Sequence, residues 1–122
     1  QQFKIGEKRI MKTDGDCYES AGNHMTEKCM FSRGDCHLIL VHAEVTGQGP
    51  IDGLKYGHAF IIDGDTVIDN SNGRNIKMPK QVYYNVGRIG ANVHEYSFED
   101  FRQKIMEYKH WGPWDLETES GY

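Results

Sequence analysis

Cysteine and proline are both scarce, at three residues each in a chain of 122. An odd, low cysteine count makes a poor disulfide framework. It points to a reducing, cytoplasmic setting that leaves at least one thiol free for chemistry. Long apolar runs are missing too. The longest lies around Leu38 to Val41, far short of the roughly 18 to 20 residues that span a bilayer. The opening stretch QQFKIGEKRI carries no apolar leader-like region. There is no basic excess, since 14 Lys and Arg stand against 18 Asp and Glu for a net charge of −4. With those cations scattered, nucleic acid is not an expected partner, and neither is a membrane. Close Cys-x2-Cys and His-x3-His pairs are absent, so Cys17, Cys29, Cys36 and His37 do not read as a zinc site. The stretch GQGP after Thr46 lacks the Gly-Lys and following helix of a phosphate-binding loop. No metal or cofactor is expected.

Aromatic residues and glycine are plentiful: two Trp, seven Tyr, five Phe and 14 Gly. Aromatics bury large areas and argue for a folded core, while glycines mark frequent turns. The length suits one domain, residues 1–122. Phe3 to Ile5 reads as an edge strand. The TDGD turn at Thr13 to Asp16 precedes a helix from Cys17 to about Met30, with Asp16 as N-cap and Tyr18, Ala21, Met25 and Cys29 at helical spacing. Cys36 to Val45 reads as a strand, and Thr46 to Tyr56 as a Gly-rich loop shaping access to a site. Gly57 to Ile62 and Asp65 to Asp69 form a hairpin about Asp63-Gly64, because Asp-Gly between apolar strands supplies the positive φ of tight turns. Ser71 to Asn75 is a turn, and Pro79 opens a short helix through Asn85. Val93 to Tyr96 is a strand, and Ser97 caps a final helix with Phe98, Phe101, Ile105 and Tyr108 on one stripe. Trp111 and Trp114 pack the start of the tail. A helix, then strands, then helices predicts an α+β fold with an antiparallel sheet.

Three residues in this layout carry chemistry. Cys17 opens a helix, where unpaired N–H groups and the helix dipole favour a thiolate nucleophile. His58 opens a strand and is the matching base. Counting back from an Asp63-Gly64 turn pairs Ile62 with Asp65, Phe60 with Val67 and His58 with Asp69. That register puts the imidazole and the carboxylate on one face, where Asp69 orients the ring. A three-residue turn would instead set Asn70 opposite His58, making Asn70 the alternative orienter. Phe60, Ile62 and Val67 share that face and are expected under the Cys17 helix. The Cys17 backbone N–H is the first oxyanion donor, and the second is left open. His24 lies two turns after Cys17 and reads as structural. His42, His94 and His110 read as surface or interfacial, and Cys29 and Cys36 as ordinary core or strand residues.

The stretches DCYESAGN and GHAFIIDGDTVIDNSNG resemble the papain-like cysteine hydrolase superfamily. They look most like its transglutaminase-like and NlpC/P60-like branches, in a small phage-type form. The likeness spans Asp14 to Asn72. It implies a minimal papain-like core with Cys17 as nucleophile, His58 as base and Asp69 as orienter. The activity it implies is peptidase or amidase hydrolysis through an acyl-enzyme, or acyl transfer to an amine. The substrate would be a peptide, a protein or another amide. The chain lacks papain's Cys-Trp pair and an upstream Gln for the oxyanion. A reading of another class also stands: a binding or inhibitor module on a papain-like scaffold, gripping a partner through the Gly-rich loop and Trp tail.

Overall fold

The structure is a computed structural model, described here for residues 16–32, 36–47 and 53–118. The expected strand at Phe3, the turn at Thr13 and the centre of the Gly-rich loop lie outside those residues. Helix α1 spans Cys17–Cys29. Strands β1 (Ile39–Thr46), β2 (Lys55–Asp63) and β3 (Thr66–Asp69) follow, then a short 3-10 turn at Ser71–Gly73. Strand β4 (Ile76–Pro79), helix α2 (Lys80–Val86), strand β5 (Val93–Tyr96) and helix α3 (Phe98–Tyr108) complete the order. The protein is α+β, with one antiparallel five-stranded sheet ordered β4-β3-β2-β1-β5.

The central strands β1 and β2 are almost continuously buried, which explains their unbroken apolar runs (LILVHA and HAFII). Both faces of the sheet are covered. On one face, Cys17, Ala21, Met25 and Cys29 of α1 pack on Leu40, Ala59, Ile61 and Ile68, with Phe101 of α3 and Trp111 and Trp114 of the tail beside them. On the other, Val41, Phe60, Ile62 and Val67 meet Tyr83 and Tyr84 of α2. Phe60, Ile62 and Val67 therefore lie under α2 and not under the Cys17 helix, because alternate strand residues point to opposite faces and α1 holds the Ala59 and Ile61 side.

Two local signals act differently from expectation. Asp16 has helical backbone (φ −107°, ψ −1°) instead of the extended backbone of a capping residue. Ser97 does cap: its Oγ accepts the Asp100 N–H at 3.1 Å. Strand β4 is not among the expected elements, since its IKMP alternates too briefly to stand out, and its last residue, Pro79, is the expected helix start. Cys29 and Cys36 are not separate core residues. A disulfide joins them, with Cα atoms 5.2 Å apart. The cysteine count therefore no longer argues for a reducing compartment. No helix among the described residues is long and apolar enough to cross a membrane.

Gly22 marks the closest approach of the tail to α1. A Cβ there would sit 2.5 Å from Trp111 Cε3 and 3.2 Å from Phe101 Cε1. Alanine gains up to about 1 kcal/mol of helix propensity at such a position. Overpacking against a fixed indole costs roughly 1–3 kcal/mol. Gly22→Ala is expected to destabilise the protein by about 1 kcal/mol net in urea unfolding. A variant as stable as the parent would show that Trp111 moves aside freely.

Candidate active site

The β2–β3 hairpin positions two of the three expected residues. Its ladder pairs Asp63 with Thr66, Ile62 with Val67 and Ile61 with Ile68. The two-residue turn is thus Gly64-Asp65, one position later than Asp63-Gly64. Gly64 alone of that pair takes positive φ, at 65°, as a turn with glycine in its first central position requires. The expected direct pairing of His58 with Asp69 is therefore corrected. Two steps on from Ile62–Val67, Phe60 comes opposite Asp69, and His58 lies on the diagonal. The register differs by two residues, which preserves the face, and a diagonal neighbour remains within reach of a long side chain. The imidazole spans that gap: His58 Nε2 donates to Asp69 Oδ2 at 2.9 Å.

Asp69 is 3% exposed and is held from all sides. Its Oδ1 accepts the Ser71 N–H at 3.0 Å and the Ser71 hydroxyl at 2.7 Å, and its Oδ2 also accepts the Tyr83 hydroxyl at 2.7 Å. Arg74 extends the chain by donating to Ser71 Oγ at 3.1 Å. Burial pushes the carboxyl up, but the His58 and Ser71 hydrogen bonds outweigh it and hold Asp69 well below the usual carboxylate range. Burial likewise raises Tyr83 far above an ordinary phenol, with the Asp69 charge adding to it, so the hydroxyl stays a donor. Sequence reasoning missed Ser71, Tyr83 and Arg74. Ser71 was legible as a residue two positions after an Asp, able to fold back on the carboxylate. Tyr83 and Arg74 arrive through tertiary packing.

Cys17 is the first residue of α1, and its thiol is among the groups that raise the His58 ring. With Nε2 given to Asp69, Nδ1 is the nitrogen left for the thiol. Burial pushes His58 down, yet Asp69 and Cys17 together raise it to about 9. Of the three residues named from the sequence, His58 and Asp69 are hydrogen-bonded, and Cys17 acts on the His58 ring. Asn70 does not join it. Its Nδ2 donates to His24 Nδ1 at 3.2 Å, so Asn70 is not the orienter of His58. Cys17 itself is 1% exposed and is the free cysteine of the structure.

No family model, curated protein or solved structure matches this chain. What the site does chemically must therefore follow from its geometry. A buried carboxylate holds one imidazole nitrogen, and a thiol at a helix start acts on the same ring. That set can pass a proton from sulfur to nitrogen and stabilise the resulting charges. A cavity of about 300 Å³ adjoins the His58 and Asp69 side, with Tyr56, Met78 and Val86 in its walls. Among the described residues no cluster of three or more metal-ligating side chains occurs.

The other histidines separate from this line. His42 is not at the surface but fully buried on the α1 side, among the rings of Tyr18, Tyr96 and Trp114 at centroid distances of 4.8–5.1 Å. Burial, reinforced by His94, depresses it to about 3, so it is neutral. His37 pairs with Asp63 at the surface.

Proposed function

We propose that this protein is a cysteine-dependent hydrolase, a peptidase or amidase built on a minimal papain-like core. The observation that carries the reading is the His58 imidazole held between a buried carboxylate and a thiol. In the reaction, the proton of the Cys17–His58 pair already rests on the ring, which the site holds charged, and sulfur attacks the amide carbonyl carbon. Asp69 holds the Nε2 proton and balances the imidazolium. His58 then returns the proton to the leaving amine, the C–N bond breaks, and a thioester remains on Cys17. Water, deprotonated by His58, resolves it to the acid and frees the thiol. An amine in place of water makes the same site an acyltransferase. The Cys17 backbone N–H, at the start of α1, is the oxyanion donor on this chain.

The near-complete burial of Cys17 favours a second reading, a binding module that keeps the scaffold without turning over. Alkylation separates the two. With Cys29 and Cys36 joined, iodoacetamide at pH 6 to 7 has one thiol to find. The hydrolase reading expects Cys17 to be alkylated faster than a small-molecule thiol. It expects His58→Ala to slow that reaction at least about tenfold, in line with the usual size of general-base assistance. Slow labelling that His58→Ala leaves unchanged overturns it in favour of the binding module.

A further inference from the structure

Of the four hydrogen bonds that hold Asp69, the one from Tyr83 differs from those of Ser71 in where it lands. Ser71 supplies both donors to Oδ1, its N–H at 3.0 Å and its hydroxyl at 2.7 Å. Arg74 fixes Ser71 in turn, donating to its carbonyl at 3.3 Å and to its hydroxyl oxygen at 3.1 Å. That arm orients the carboxylate without touching the oxygen that serves His58. Tyr83 instead donates to Oδ2 at 2.7 Å, the same oxygen that accepts His58 Nε2 at 2.9 Å. A donor to a carboxylate stabilises its negative charge and makes it a weaker acceptor for any other proton. Two donors on one oxygen therefore weaken each other's hold.

Packing alone does not require this bond. Tyr83 and Tyr84 are neighbours on α2, and both rings pack on Phe60, at centroid distances of 4.8 and 5.9 Å. The buried hydroxyl of Tyr84 finds no hydrogen-bond partner among the described residues. The fold thus tolerates an α2 tyrosine whose hydroxyl is unbonded, while the hydroxyl one residue earlier is spent on Asp69. The chemistry of the site gives that bond a use. His58 is raised to about 9, so at neutral pH the ring keeps its proton. An acid delivers a proton best when its value lies near the working pH. Anything that draws charge from Oδ2 brings the ring closer to that condition. The titratable groups around the ring are Cys17 of α1, Tyr56 of β2, Asp69 of β3, Arg74 after the 3-10 turn and Tyr83 of α2. Cys17 and Asp69 both raise His58. Tyr83 opposes them, through the oxygen it shares.

We propose that Tyr83 is a positioning residue of the reaction: by sharing Asp69 Oδ2 it loosens the carboxylate's hold on the His58 proton, so that the ring can pass a proton to the leaving amine. The proposal rests on the hydrolase reading above and adds a residue to that site. In the step it assists, an N–H bond of the ring breaks and one on the amine forms. Tyr83 keeps its own proton throughout, since burial and the Asp69 charge raise it far above an ordinary phenol.

The test is an NMR titration of the His58 ring in the intact protein and three variants. The site raises the ring from 6.5 to about 9, and one hydrogen bond alters a neighbouring one by roughly 10–30%, so Tyr83→Phe is expected to raise the midpoint by about half a unit. Tyr84→Phe makes the same chemical change one residue away and is expected to leave the midpoint where it is. Replacing Tyr83 by a ring-fluorinated tyrosine keeps the packing and strengthens the donor, and is expected to lower the midpoint. A merely structural tyrosine would not produce shifts of opposite sign. The alkaline break in the pH profile of Cys17 alkylation by iodoacetamide should follow the ring in each variant. A midpoint that stays or falls in Tyr83→Phe, or that does not fall with the fluorinated residue, overturns the role of Tyr83. A midpoint that moves as expected while the alkylation profile stays fixed upholds Tyr83's action on the ring and overturns the hydrolase reading instead.

Discussion

Asp69→Ala is expected to be the most damaging single substitution in the protein, lowering stability by about 3–5 kcal/mol, the usual cost of removing one partner from a buried charge pair. The carboxylate takes four hydrogen bonds, from His58, the Ser71 N–H, the Ser71 hydroxyl and Tyr83. Alanine removes the acceptor of all four donors in a site that is almost wholly buried. It also removes the main group that keeps His58 charged. Burial then acts on the ring opposed by Cys17 alone, so His58 should titrate well below its present value of about 9. Two measurements check this, a urea unfolding curve and an NMR titration of the His58 ring. Tyr83→Phe serves as the smaller comparison, because it deletes one hydrogen bond to a charged group, worth about 1.5–3 kcal/mol, and leaves the pair intact. An Asp69→Ala variant losing under about 1 kcal/mol would mean that the pair is not the buried, fully bonded unit described.

How far these features were legible in the sequence differs with the kind of signal. The helix start at Cys17, the strand at Val93–Tyr96 and the Ser97 cap were readable because each rests on local spacing or a short-range hydrogen bond. The hairpin was readable as an object but not in its register. Asp63, Gly64 and Asp65 offer two overlapping turns, and tertiary packing of Ile61, Ile62, Val67 and Ile68 on the two cores decides between them. His58 and Asp69 still fall on one face, since a shift of two residues keeps parity. A shift of one would have brought Asn70 to that face. Strand β4 was hidden because its partner residues lie in β3, and its own four residues alternate too briefly to signal a strand. The disulfide was hidden for a related reason. Cys29 ends α1 and Cys36 precedes β1, and only the path between helix and sheet brings their Cα atoms to 5.2 Å. His42 looked like a surface residue because a polar side chain inside an apolar strand carries no mark of what will cover it. The cover here, Trp114 in the tail, is 72 residues away in sequence.

Stability is expected to peak near pH 6.5 and to fall on both sides, for opposite reasons in two buried histidines. His58 is raised from 6.5 to about 9. A raised folded-state value means that the native state binds the proton more tightly. That contribution is fully present below pH 6.5 and is lost as pH rises through about 9, a change of about 3 kcal/mol at roughly 1.4 kcal/mol per unit. His42 is lowered from 6.5 to about 3. Its unfolded form takes up a proton that the buried ring refuses, so stability declines as pH falls from 6.5 towards 3, by roughly 5 kcal/mol if the core stays closed. His24, also lowered, adds in the same direction. Asp69 is depressed as well, so its share is present above the ordinary carboxylate value and is lost in the acid limb. The two limbs have separate owners and can be removed separately. His58→Gln should flatten the curve between pH 6.5 and 9 and leave the acid limb standing. His42→Phe, in a cage already made of aromatic rings, should flatten the region between pH 6.5 and 4 and leave the alkaline limb standing. Chemical unfolding at half-unit pH steps measures both. A parent curve level from pH 6.5 to 9 would mean that His58 is not held charged by its carboxylate, and the charge balance assigned to the site would fall with it.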